Sequence, residues 1–258
     1  AAGGAPAADA GGAPAPSGGG APAADGRRRK IKIYDFKAQD SFSYGDLRFI
    51  EDLLMPVARL VANALSDLTH RNVTGFVCSL DQRPWRSLVR HLPDSTTLAV
   101  IDLNPMKGPA VLVINPWFRS SLLDLLFGGK GTQLPSLRAH TDIEQSVLEG
   151  IIARMLGSLR EAWSTDVELR PRLITLGEGP RSIPDIPPNQ MMAEIVFEFR
   201  AGEVERIMHL FIPASTLFPI LPRLRGRRRH GPGAGTGRSP PAAGTGGACR
   251  RRRPCGYA

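Results

Sequence analysis

Apolar residues recur every three or four positions between residues 46 and 68, which is the spacing of an amphipathic α-helix. They are Leu47, Ile50, Leu54, Val57, Val61, Ala64, Leu65 and Leu68. Pro56 lies inside this pattern, and we expect it to kink the helix or split it in two, because proline lacks the N–H group that a helix interior needs. A run rich in Val, Phe and Thr at 73–80 predicts a strand, and 83–92 predicts a short amphipathic helix.

Two apolar runs at 97–103 and 110–114 then predict a pair of strands around a turn rich in proline and glycine. The next helix should begin at Asn115 and Pro116, since Asn supplies an N-cap oxygen and Pro suits the first helical position. This helix ends abruptly at the run GGKG, residues 128–131. Its buried face is predicted to comprise Trp117, Leu122, Leu125 and Leu126.

The same order of elements returns in the second half of the chain. Thr141 and Glu144 form the pattern of a capping box, which predicts the start of a long helix. Its predicted buried stripe is Ile143, Val147, Ile151, Met155, Leu159 and Trp163. Strands are predicted at 172–176, 192–199 and 206–211, and a last short helix begins at Pro213. We therefore predict an α/β (α+β) fold with a pseudo-twofold duplicated α-β-β-β-α unit, in which both copies share one sheet covered by helices.

Composition limits the folded region to residues 30–224. Residues 1–29 are rich in Ala, Gly and Pro, and 225–258 are rich in Arg, Gly and Pro, so both termini are predicted to be disordered. Ile31, Ile33 and Phe36 alternate with polar residues and favour a short strand or extended arm. The tail also has the composition that a GC-rich gene read out of frame would encode, and composition does not separate the two origins.

Charge and cysteine usage narrow the function classes. The net charge of +9 comes from the C-terminal arginines, and the rest of the chain is nearly neutral, so no basic nucleic-acid footprint is expected. The cysteines suggest no disulfide scaffold, which favours a reducing cytoplasm. There is no signal peptide pattern and no apolar run long enough to span a membrane.

The glycine run is the main candidate for function. A phosphate-binding loop needs Ser or Thr after the Lys, and here Gly131 follows Lys130. Two interpretations remain open: Gly128 and Gly129 only cap the helix, or the loop also exposes bare backbone that another protein approaches closely. The carboxylates and histidines form no catalytic or metal-ligand pattern, so we predict no catalytic residues, no metal and no cofactor.

Several motifs in order resemble one known family. The segments KIYDF (32–36), LAVIDLNPMKGPAVLVINP (98–116), LLFGGKG (125–131), LREAW (159–163) and PPNQMM (187–192) are together similar to the middle domain of the flagellar motor switch family FliM. The resemblance covers about residues 29–221. It implies a three-layer α/β/α domain related to the CheC and CheX phosphatases, and a non-enzymatic ring subunit on the cytoplasmic face of the inner membrane, in the flagellar basal body.

The resemblance also implies partners. In this family the loop that corresponds to Gly128, Gly129, Lys130 and Gly131 helps to bind FliG, and neighbouring FliM domains pack side by side. Phosphorylated CheY binds an N-terminal motif and then the middle domain, which biases the direction of rotation. That N-terminal motif is not seen in residues 1–26, and residues 225–258 do not resemble the FliN-like C-terminal domain, so binding of FliN is in doubt.

The alternative function is a CheC-type phosphatase that acts on phosphorylated CheY. That activity uses a helical Glu with an Asn three residues later, which orients the attacking water. Glu51 is followed at this spacing by Leu54, and Glu149 by Ile152. Apolar side chains cannot orient water, so the sequence favours the switch protein over the enzyme.

Overall fold

The structure, a computed structural model, describes residues 41–135, 138–183 and 186–230. Its helices are α1 (Tyr44–Thr69), α2 (Trp85–Val89), α3 (Pro116–Leu126), α4 (Asp142–Trp163), α5 (Ala214–Leu217) and α6 (Leu221–His230). Its strands are β1 (Val73–Pro84), β2 (Thr97–Asn104), β3 (Pro109–Ile114), β4 (Arg170–Glu178), β5 (Met191–Ala201) and β6 (Val204–Pro213).

All six strands form one antiparallel sheet in the order β1-β5-β6-β3-β2-β4. When β1, β2 and β3 are matched with β4, β5 and β6, this order reads the same from either edge. The two copies meet at the centre, where β3 pairs with β6 and Val111 lies opposite Phe211. The predicted duplication of an α-β-β-β-α unit in a shared sheet is therefore confirmed.

The duplication extends to irregularities in the two edge strands. In β1 the pairing with β5 shifts between Val77 and Ser79, which leaves Cys78 as an extra residue. In β4 the partners of Val100 and Ile101 are Thr175 and Leu173, which leaves Ile174 as an extra residue. Both edge strands thus carry a β-bulge at corresponding positions.

Helices cover the two faces of the sheet unequally. Helices α1 and α4 pack against each other and against one face, together with buried residues of α3, α5 and α6. On the opposite face, Trp85 and Leu88 of α2 pack with Ile186, Met192 and Phe211. The three layers are present, but the second helical layer consists of one short helix and a loop.

Local signals in the sequence place the helix starts. The Ser43 and Thr141 side chains accept hydrogen bonds from the backbone N–H groups of Asp46 and Glu144, and both capping boxes are complete. The Asn115 side chain accepts a hydrogen bond of 2.7 Å from the N–H of Phe118. These contacts satisfy N–H groups that have no partner within the helix.

Two details of the predicted helices are wrong, and a third is decided in part. Helix α1 runs through Pro56 without a break and buries Leu54 and Val57 on either side of it, so the predicted split does not occur, while the kink stays a prediction. Trp117 and Ile143 were predicted to be buried, but 39% and 73% of their surfaces are exposed. Both residues lie in the first turn of a helix on the side that is not covered by the core, whereas Phe118, next to Trp117, is buried.

Two element boundaries in the structure differ from the predicted ones. The predicted helix at 83–92 is reduced to α2, because Arg83 and Pro84 belong to β1. Helix α6 extends through residues 225–230, which the sequence assigned to a disordered tail. Leu224 is buried and Arg225 forms an ion pair of 2.8 Å with Asp46, which holds the helix against the start of α1. Residues 1–40, including the predicted extended arm at 31–36, and 231–258 lie outside the described residues.

Candidate protein-binding site

The end of α3 requires glycine for its backbone. The N–H of Gly128 donates a hydrogen bond of 3.1 Å to the carbonyl of Leu125, and Gly128 has a φ of +88°. A side chain is strained at such a φ, whereas glycine adopts it readily. A Cβ atom at Gly128 would meet nothing within 4 Å, so the position opens directly to solvent.

Asp124 fixes the rest of the loop. Its Oδ2 accepts a hydrogen bond of 2.7 Å from the N–H of Gly131, and its backbone carbonyl accepts one of 2.7 Å from the N–H of Gly129. A Cβ atom at Gly129 would collide with the Asp124 carboxylate. Gly131 has a φ of +75°, and a Cβ there would lie 2.9 Å from the Leu125 side chain. The glycines thus cap the helix, as both interpretations require, and the contacts of Asp124 define the path of the loop.

The predicted exposure of the loop holds for its tip and not for its end. Gly128 and Lys130 are exposed and Gly129 is half-buried, whereas Gly131 is buried because Leu125 and Arg206 lie close to it. Residues 128–130 thus form a small turn with little side-chain cover.

Large apolar side chains are exposed on either side of this turn in the sequence and at the start of α3. Phe127, immediately before it, is 71% exposed, and Leu134 is 80% exposed. Trp117 lies at the start of α3, and its ring is 5.8 Å from the guanidinium carbon of Arg206, which also reaches Gly131. We call Trp117, residues 127–130 and Leu134 the Gly-loop surface. Exposed aromatic and aliphatic side chains beside bare backbone are typical of a protein contact.

A buried polar cluster anchors the chain that follows the loop. The Arg119 side chain is 4% exposed, and its Nη1 donates a hydrogen bond of 2.6 Å to Oε1 of Glu178. The same oxygen accepts a hydrogen bond of 3.1 Å from the backbone N–H of His140. The Nδ1 atom of His140 also lies 3.2 Å from this Glu178 oxygen. Arg119 Nη2 donates to the carbonyl of Arg138 at 3.1 Å. The cluster therefore ties residues 138–140, just before α4, to α3 and the end of β4.

The environment of His140 favours its neutral form. Burial lowers the pKa of its imidazole, Glu178 opposes this shift, and the positive charge of Arg119 adds to it. Sequence reasoning missed the cluster, because Arg119 and Glu178 are far apart in the chain. The available signal was an arginine beside Phe118 and Leu122 on the apolar face of α3.

The two positions that the phosphatase alternative would need to be polar are apolar and buried. Leu54 and Ile152, three residues after Glu51 and Glu149, are wholly buried where α1 and α4 pack. Within the described ranges, no group of three or more His, Cys, Asp or Glu residues is placed to hold a metal ion. No helix in the described part of the chain is long and apolar enough to cross a membrane.

Comparison with known proteins gives consistent matches. The sequence model of the family "Flagellar motor switch protein FliM" matches residues 43–228. The chain is 37% identical over 206 residues to the flagellar motor switch protein FliM of Borreliella burgdorferi, covering 80% of this chain and 58% of that protein. It is 39% identical over 196 residues to the protein of the same name from Treponema pallidum, covering 76% of this chain and 57% of that protein.

A solved structure shares the fold. A chain of the FliG–FliM complex from H. pylori superposes with a TM-score of 0.66 and 27% sequence identity, covering 70% of this chain and 100% of that chain. The chain spans somewhat more than half the length of the curated relatives it matches.

Proposed function

The chain belongs to the FliM family of flagellar motor switch proteins, and we propose that it is a non-enzymatic rotor subunit which binds FliG through the Gly-loop surface. In this proposal copies of the chain pack side by side in a ring at the cytoplasmic face of the inner membrane. Binding of phosphorylated CheY to the ring is relayed to FliG as a change in the direction of rotation.

The Gly-loop surface is the observation that carries the proposal. Its apolar side chains are exposed, while Asp124 and the glycine backbone hold the loop in one conformation. A preformed loop loses little conformational entropy when a partner binds, which favours affinity. The solved FliG–FliM complex supports FliG as the partner, because 70% of this chain matches the full length of one chain of that complex.

The rigidity of the loop also suggests how the signal passes. Since α3, the loop and the anchored segment at 138–140 are joined by hydrogen bonds, the loop moves with the domain as one body. A regulator shifts such an equilibrium only when it binds one orientation more tightly than the other. Phosphorylated CheY would therefore act by favouring one orientation of the whole domain.

Binding of FliG from the same organism tests the proposal by isothermal titration calorimetry. Gly128→Ala should weaken binding at least tenfold, because its Cβ projects into the open space that a partner backbone would occupy. Gly202→Ala is the matched control, since Gly202 also has a positive φ, of +61°, and also has nothing within 4 Å of its Cβ position. Both variants bear backbone strain, but Gly202 lies in the turn between β5 and β6. Equal affinities for the two variants would refute the assignment of the loop.

A second variant tests the apolar part of the surface. Phe127→Ser should reduce FliG affinity without lowering the melting temperature, because the ring is 71% exposed and contributes little to the core. Loss of a large aromatic side chain at a contact typically weakens binding by about 1–2 kcal/mol or more. Unchanged affinity would place the contact elsewhere on the domain.

The absence of catalysis is also testable. Incubation of the chain with phosphorylated CheY should leave the rate of phosphate loss unchanged, because Leu54 and Ile152 provide no group that orients water. An accelerated loss of phosphate, proportional to the amount of the chain added, would favour the phosphatase alternative.

A further inference from the structure

Arg206 joins the second copy of the fold to the Gly loop of the first. It lies on β6, and its Nε donates a hydrogen bond of 2.8 Å to Oγ of Ser121 on α3. Its Nη1 donates at 2.8 Å to the carbonyl of Glu205, and its Nη2 donates at 3.5 Å to the carbonyl of Gly131. The guanidinium also lies 5.8 Å from the ring centroid of Trp117. Arg206 thus borders the Gly-loop surface.

All of these partners are uncharged. In the described part of the chain no carboxylate forms an ion pair with Arg206, whereas Arg119 is paired with Glu178 and Arg172 with Asp102. The guanidinium of Arg206 is nevertheless half-buried, and this burial lowers its pKa. Removing a cation from water is unfavourable unless an opposite charge compensates, so the folded domain retains an uncompensated positive charge at this position.

Two carboxylates that belong to the neighbours of Arg206 in these contacts are already engaged. Asp124 accepts the N–H of Gly131, and the Glu205 carboxylate lies 3.2 Å from Nε of Arg200. Lys130 adds a second, exposed cation to the same surface. Lys130 and Arg206 thus place two positive charges beside the exposed apolar side chains, which complements an acidic side chain on a partner.

We propose that Arg206 binds a carboxylate of the protein that docks on the Gly-loop surface, and that this ion pair helps to select the partner. A guanidinium has five N–H donors, and three are used within the domain, which leaves two for an incoming carboxylate. The proposal rests on the proposed function, since it takes FliG as the protein that occupies the surface.

The alternative is that Arg206 only braces α3 and the loop. The two roles predict different results for three variants: Arg206→Gln, which removes the charge, Arg206→Lys, which keeps it without the planar fork, and Arg172→Gln. The last is the matched control, because it removes one positive charge whose ion-pair partner, Asp102, lies within the domain.

Calorimetric titration with FliG at low and high salt separates these roles. For Arg206→Gln we expect at least tenfold weaker binding at low salt and a smaller dependence of the dissociation constant on salt than in the wild type. Arg206→Lys should be intermediate, and Arg172→Gln should bind like the wild type. Amide hydrogen exchange at residues 128–131 should be unchanged in all three variants.

Two results would overturn the proposal. One is an unchanged dissociation constant and salt dependence for Arg206→Gln. The other is weaker binding accompanied by faster hydrogen exchange at residues 128–131, which indicates a brace. If the wild type itself fails to bind FliG, the proposed function fails. If the wild type binds FliG and Gly128→Ala does not, the proposed function stands. The Arg206 variants then decide the ion-pair proposal on their own.

Discussion

Replacement of Glu178 by Gln should destabilise the domain, because it removes the carboxylate that is paired with Arg119. The Arg119 side chain is 4% exposed and its Nη1 lies 2.6 Å from Oε1 of Glu178. Loss of one member of a buried ion pair typically costs about 3–5 kcal/mol, since it leaves a charge in a poorly solvated site. The Glu178 side chain is 18% exposed, and Arg119 also donates to the carbonyl of Arg138, so we expect about 2–3 kcal/mol.

Differential scanning calorimetry and urea denaturation measure this loss. For a domain of this size, about 1 kcal/mol lowers the melting temperature by about 2–4 °C, so Glu178→Gln should lower it by about 4–12 °C. The double variant Arg119→Met, Glu178→Gln should recover much of the loss, because it leaves no unpaired buried charge.

Hydrogen exchange shows whether the cluster also positions the chain before α4. In Glu178→Gln, exchange should accelerate at residues 138–141 more than in the centre of the sheet, because His140 loses the carboxylate that accepts its N–H. A stability loss below about 0.5 kcal/mol, or a double variant no more stable than the single one, would refute the reasoning.

Three further replacements test other parts of the structure. Gly150→Ala should raise the free energy of unfolding by up to about 1 kcal/mol, because Gly150 lies in an exposed helix position with nothing within 4 Å of its Cβ site. Urea denaturation measures this change, and a lowered midpoint would contradict it. A hydrogen bond from Arg138 is the main cause of the lowered pKa of Glu144. The ionised Glu144 therefore stabilises the folded domain above about pH 4.5, its ordinary pKa, and this stabilisation is lost as the pH falls through the lowered pKa of the folded state. Glu144→Gln should therefore lose up to about 1 kcal/mol at pH 7, and its stability should fall less than that of the wild type between pH 5 and 3, as measured by urea denaturation at each pH; parallel curves would contradict this. Asp124→Ala should leave the N–H of Gly131 without its acceptor, destabilise the domain by about 1–3 kcal/mol and reduce FliG binding; retention of both would show that the loop does not depend on Asp124.

The sequence predicted the features that depend on neighbouring residues. The caps at Asn115 and Thr141 were correct because a capping side chain bonds to N–H groups only two or three residues away. The order of strands in the duplicated units was correct because alternating apolar runs and turns are also local signals. The glycine run was recognised for the same reason, since the end of a helix and a positive φ both favour glycine.

The failures have a common physical origin in contacts between distant residues. Spacing alone could not decide whether Trp117 or Phe118 faces the core, because both lie in the first turn of α3 and the sheet determines which is covered. Pro56 does not break α1, because burial of Leu54 and Val57 on either side outweighs one missing hydrogen bond. The contact between Arg206 and Gly131 joins residues of the two duplicated units, and no local pattern in the sequence predicts it.

The bulges in β1 and β4 bear on how copies of this chain can meet. Among the described residues β1 and β4 are the edge strands of the sheet, and a regular edge strand can pair with a strand of another molecule, which promotes aggregation. The extra residues Cys78 and Ile174 interrupt the regular row of backbone donors and acceptors at both ends of the sheet. The bulges therefore make β1 and β4 poor templates for continuous strand pairing with another molecule.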